Sequence, residues 1–182
     1  GHIISLPGDW LSYIAVSMVA LNQGEGALTI ALVYVAHTLP TALISPISGP
    51  LADRFDRRLI LVGSYFAAAA LTVLMLLAAN AGWLLALQVV LLIRGCVSGL
   101  AITARNSAIP MLVEPDELHG ANTLLGLTWS VAFTTGMALG GLASALLSPV
   151  GAIGLDALTF VMAAVVTLTL PKLPPPKGKR IP

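Results

Sequence analysis

Arg94 and Asp9 are the residues of this sequence best placed to do chemistry. Arg94 is flanked by Leu91-Leu92-Ile93 and by Gly95-Cys96-Val97, deep in an apolar run. A guanidinium in hydrocarbon costs at least about 2.5–3.5 kcal/mol on insertion scales, so it must face a protein interior and find a partner. Asp9, in Gly8-Asp9-Trp10-Leu11, is the acidic candidate. Desolvation favours the neutral form of a carboxyl group and a nearby cation favours the charged form. That competition suits reversible proton exchange next to a cation that could also hold an anionic substrate. The bland alternatives are an internal ion pair for Arg94 and a helix-capping role for Asp9. Asp156 lies further along the chain, in the outer third of an apolar run, and is expected to be structural.

The second concentration of charge is Gly49-Pro50-Leu51-Ala52-Asp53-Arg54-Phe55-Asp56-Arg57-Arg58, between long apolar runs. It cannot lie in hydrocarbon, so it is a short loop where membrane spans meet water, and its arginines place it on the cytoplasmic side.

The elements that must position these residues follow from composition. The chain has 182 residues, 57% hydrophobic and 9% charged, against about 25% charged in soluble domains. A bilayer is therefore its solvent. A crossing helix needs roughly 20 apolar residues, and six runs qualify: about 3–22, 27–52, 58–80, 82–105, 120–147 and 150–170. With a cytoplasmic N-terminus, Arg54, Arg57, Arg58, Arg105, Lys172, Lys177, Lys179 and Arg180 all fall on the cytoplasmic side, as the positive-inside rule requires. The fold expected is an all-α membrane bundle over 3–170, with 171–182 leaving as a cytoplasmic linker. The chain opens inside an apolar run without Met, so a start cut within span one is expected.

Polar residues at helical spacing mark inward faces. Tyr13 and Ser17 continue the Asp9 stripe on span one, His37 and Thr41 lie on span two, Ser98 follows Arg94 on span four, and Trp129 and Ser130 lie on span five. These are the candidate cavity-lining residues. Spans three and six are almost uniformly apolar and are expected to face lipid. Gly95-x-x-x-Gly99, and Gly136-x-x-x-Gly140 with Gly141, are candidate close-packing sites between helices. Pro40, Pro46 and Pro50 read as static bends in span two. Gly49-Pro50-Leu51-Ala52 is echoed 91 positions later by Gly140-Gly141-Leu142-Ala143, as two inverted three-helix repeats would produce. The lone Cys96 reads as a packing residue, and no metal, phosphate-loop or nucleophile motif is present, so neither a cofactor nor an enzyme is indicated. A net charge of +1 implies no nucleic-acid partner.

At this point the sequence resembles the major facilitator superfamily. Gly49-x-Leu51-x-Asp53-Arg54-x-x-Arg57-Arg58 is similar to that family's signature loop between helices two and three. Gly8-Asp9-Trp10-Leu11, Ile109-Pro110-x-Leu112-Val113, Glu117-Leu118-x-x-Ala121-Asn122 and Leu155-Asp156-Ala157-x-x-Phe160 resemble its proton-driven exporters of drugs and siderophores. Two positions depart from the family pattern: Ser98 stands four residues after Arg94 in place of Gly, and Ala138-Leu139 precede the Gly140-Gly141 pair in place of Gly-Pro. The resemblance implies the N-terminal six-helix half of a twelve-helix transporter in the cytoplasmic (inner) membrane. Its partners would be a small amphipathic substrate, protons, the lipid bilayer, and the other half of the transporter or a second copy of this chain. It also implies that Gly49, Asp53, Arg54, Arg57 and Arg58 latch one conformation, with Asp53 against a helix N-terminus of the other half. The rival reading is a self-standing six-span protein, acting as a homodimeric transporter or as an assembly or receptor module.

Overall fold

The computed structural model describes residues 2–109, 113–114 and 116–169, with side chains from residue 5 onward. The expected linker 171–182 with its Lys172, Lys177, Lys179 and Arg180, and the loop residues Pro110, Leu112 and Pro115, lie outside the described residues. The rest is helical: α1 (His2–Asn22), α2 (Ala27–Arg54), α3 (Arg57–Asn80), α4 (Leu84–Ala108) and α5 (Leu118–Leu168). α2, α3, α4 and α5 are each long and apolar enough to cross a membrane. α1, which carries Pro7, Asp9 and several serines, is not among them.

α5 has 51 residues. At about 1.5 Å per residue a straight helix of that length would far exceed the hydrocarbon core. It breaks at Ser148, whose φ of 72° and ψ of 158° are non-helical. The cause is local. Pro149 forces an extended ψ on the residue before it and is itself well suited to a first helical position. The Ser148 hydroxyl then accepts from the Gly151 amide at 3.2 Å, which is the N-cap bond of a new helix. So α5 is two arms, 118–147 and 149–168, and the break falls where the sequence separates its fifth and sixth apolar runs.

The other junctions are similarly encoded. Asp56 caps α3 by accepting from the Arg58 amide at 2.9 Å. α3 ends with Gly82 at φ 73°, and the Trp83 amide donates back to the Ala78 carbonyl at 2.9 Å, a Schellman closure.

Glycines set the helix contacts. A Cβ on Gly95 would lie 3.1 Å from the Pro40 ring, and one on Gly99 would strike Ile44 and lie 3.1 Å from the Thr41 backbone. α4 therefore packs backbone-close on α2. A Cβ on Gly136 would lie 2.6 Å from the Pro7 carbonyl, and one on Gly140 3.0 Å from Leu11, so the first arm of α5 packs in the same manner on α1. Gly141 differs from expectation: a Cβ there meets nothing within 4 Å among the described residues. It is neighbour to Gly140, about 100° round the helix, and so points away from α1. Two apolar clusters meet α4, one at Leu87 and Leu91 and the other at Ala101 and Ala104. Arg94 lies between them along the helix.

Candidate functional site

α4 delivers Arg94 to the interior, where it is 1% exposed. Its Nη1 donates to Asp156 Oδ2 at 2.5 Å and to Thr72 Oγ1 at 3.3 Å, and the guanidinium carbon lies 5.4 Å from the centre of the Phe160 ring. Asp156, fully buried, also accepts from the Ser12 hydroxyl and, through Oδ1, from Thr159 at 3.1 Å. Gly8 lets α1 approach this group: a Cβ there would fall on Asp156 and Thr159. This half of the site is a closed polar network drawn from α1, α3, α4 and the second arm of α5.

The other half is looser. Arg94 Nη2 lies 3.4 Å from Asp9 Oδ1 and makes no hydrogen bond among the described residues. The Asp9 side chain keeps 20% of its exposure because it borders a cavity of about 350 Å3. That cavity is lined by Asp9, Arg94, His37, Thr41, Ser98 and Trp129, together with Tyr34, Thr38 and Phe133. Its wall is aromatic. Trp10 meets Phe133 edge-on at 4.6 Å and His37 at 5.0 Å, and Trp129 stacks on Phe133 at 5.5 Å. Such rings present apolar area with a polar edge. Among the described residues no three His, Cys, Asp or Glu side chains converge to hold a metal ion.

Several sequence expectations differ from this arrangement. Tyr13 does not line the cavity but stands behind it, with its ring against Trp10, Tyr34 and His37. Ser17 is buried and donates to its own helix at the Tyr13 carbonyl. Ser130 is exposed, is absent from the cavity lining and donates to the Gly126 carbonyl. In both cases the hydroxyl satisfies itself one turn back, so a polar type at helical spacing does not reveal a lining role. Span six is not purely lipid-facing, since its Asp156 is the tightest ion-pair partner of Arg94. Asp156 was visible in the sequence as a carboxylate inside an apolar run. Its pairing with Arg94 joins residues 62 positions apart and has no local signature.

The whole sequence, residues 1–182, matches the Major Facilitator Superfamily. The chain belongs to that superfamily. An uncharacterized MFS-type transporter, YfiS of Bacillus subtilis strain 168, is 31% identical over 170 residues, covering 93% of this chain and 40% of the relative. Macrolide efflux protein A of Streptococcus pyogenes is 24% identical over 179 residues, covering 95% and 44%. The putative multidrug resistance protein MdtD of Cronobacter sakazakii is 27% identical over 133 residues, covering 72% and 28%. The chain thus spans less than half the length of these superfamily relatives.

The expected loop 49–58 is mostly helix: α2 runs through Arg54 and α3 starts at Arg57, so only Phe55 and Asp56 join them. Asp53 is 66% exposed and lies 3.3 Å from Arg57, which is almost fully buried. Arg58 donates to the Leu168 carbonyl at the end of α5, a cation on the negative end of a helix. It places the end of α5 beside the arginine loop. Arg54 is exposed, and a Cβ on Gly49 would meet open space.

Proposed function

We propose that this chain forms one half of a secondary active transporter that exports small amphipathic molecules in exchange for protons. The cavity is one wall of the substrate path and Asp9 is the proton carrier. The observation that carries this reading is the charge balance at Arg94: two carboxylates, Asp9 and Asp156, contact one guanidinium. With both ionised, the site holds one surplus negative charge in a medium that disfavours it, and a proton removes it. Asp156 is closed off by its partners. Asp9 is the looser contact and borders the cavity, so the proton belongs there, where an arriving substrate can displace it.

The architecture proposed for the whole is six crossings, counting α1 and each arm of α5, arranged as two inverted three-helix repeats. The glycine contacts support it. Exchanging first with fourth and second with fifth elements turns the α4–α2 contact into the α5–α1 contact. Alternating access then needs a second wall, from a C-terminal half or a second copy of this chain. The segment 49–58, the end of α2 and the start of α3, would latch one state through Asp53, which is exposed and available to a partner helix. The positive-inside rule puts that segment, and both termini, on the cytoplasmic face of the inner membrane. Substrates of the drug and macrolide type follow from the aromatic wall and from the names of the relatives.

The test is flux in proteoliposomes of the protein carrying this chain, with a macrolide and a lipophilic dye as probes. Asp9→Asn should abolish flux driven by a pH gradient, and Arg94→Lys should reduce it. Wild-type gradient-driven flux in Asp9→Asn would refute the reading.

A further inference from the structure

Beside Asp9 lies a second void, of about 30 Å3. Asp9, Leu6, Ser98 and Ile102 line both voids, so Asp9 stands on the partition between them. The small chamber's remaining polar wall is Ser5, Ser64 and Tyr65, all buried. Water occupies about 30 Å3 in the liquid, and an internal water needs two to four polar partners. The chamber meets both conditions, whereas a dry void of this size would be lined by hydrocarbon alone.

Its position along the bundle is also defined. Ser64 and Tyr65 lie in the part of α3 nearest Arg57, Ile102 lies just before Arg105 on α4, and Ser5 is near the start of α1. The chamber is thus on the arginine-bearing side of Asp9.

We propose that this chamber is an ordered-water site that serves Asp9 as a proton port on the arginine-bearing side, separate from the substrate cavity. The O–H bond of the Asp9 carboxyl breaks and an O–H bond forms on the adjacent water. That water's own O–H bond breaks as its proton moves to the oxygen of Ser64 or Tyr65, that hydroxyl releases its original proton to water on the arginine-bearing side, and the carboxylate left behind is held by Arg94 Nη2. A molecule filling the large cavity covers one face of Asp9, and the chamber water keeps the carboxyl in exchange while the cavity is occupied. The port rests on Asp9 being the proton carrier, but the water site does not.

Hydroxyl-radical footprinting of the full-length protein in detergent reads the water directly, since buried side chains label quickly only beside bound water. Tyr65 should label at least about tenfold faster after X-ray exposure than its burial alone predicts, while Met75 in the dry core stays inert. Ala68→Leu, which fills the chamber, should suppress Tyr65 labelling, and Ser64→Val serves where that variant folds poorly. Thr38→Trp, which fills the large cavity, should leave it unchanged. Slow Tyr65 labelling in the wild type, or labelling indifferent to both chamber-filling variants, overturns the water site. The port is read by hydrogen–deuterium exchange of the infrared carboxyl band lost in Asp9→Asn. Exchange should slow at least about tenfold in Ala68→Leu and persist in Thr38→Trp. The reverse pattern routes the proton through the cavity and overturns the port. Absence of any Asp9 carboxyl band overturns both the port and the carrier role, with the water site still decided by Tyr65.

Discussion

Arg94 has two sides, and they differ in almost everything but charge. On one, Asp156 sits at 2.5 Å, fully buried, with Ser12, Thr159 and the Phe160 ring completing its surroundings. On the other, Asp9 stands at 3.4 Å with a cavity beside it and no hydrogen bond to the guanidinium. Opposite charges in a low dielectric attract strongly in both cases. What separates them is the number of donors fixing each carboxylate and the room around it. A carboxylate held by several donors acts as structure, whereas one held by a single loose contact can exchange its proton. The guanidinium serves both, which explains how a membrane helix tolerates it.

The largest effect should come from breaking the closed side. Arg94→Met leaves Asp156 buried without its cation, and Asp156→Asn removes the tighter counter-charge. Each should destabilise the fold by about 3–5 kcal/mol, read as lost folded yield and an earlier thermal transition in detergent. Replacing both residues with apolar side chains should recover part of that loss. Next is Gly8→Ala, whose Cβ would fall on Asp156 and Thr159. Overpacking there should lower stability by about 1–3 kcal/mol, while a mild effect would show the closed side to be softer than its contacts imply. Thr72→Val removes one of the two acceptors of Arg94 Nη1 and should cost about 1 kcal/mol. Asp9→Asn should be the smallest in stability, under about 1 kcal/mol for a loose, partly exposed pair, and yet the most severe in gradient-driven flux.

The sequence made the open side legible and left the closed side obscure, for physical reasons. Asp9 and Arg94 stand out because a charge in an apolar run demands a partner wherever the chain goes. Thr41, His37, Ser98 and Trp129 could be placed on inward faces by helical period, and all reach the cavity. Ser17 and Ser130 obey the same period and do not, because a serine can donate to its own helix instead. Pairing Asp156 with Arg94 joins residues 62 positions apart and depends on Gly8 admitting α1. Both are tertiary facts. The α2–α3 loop was marked by its charges, but the bond from Arg58 to the end of α5 joins residues 110 positions apart and has no local signature.

Infrared titration of the carboxyl stretch in the reconstituted protein tests the division between the two acids most directly. A band that appears and disappears with pH should vanish in Asp9→Asn and survive in Ser12→Ala, which loosens the closed side but leaves both carboxylates on Arg94. If the titrating band persists in Asp9→Asn and is lost in Ser12→Ala, the roles assigned to the two sides of Arg94 are reversed.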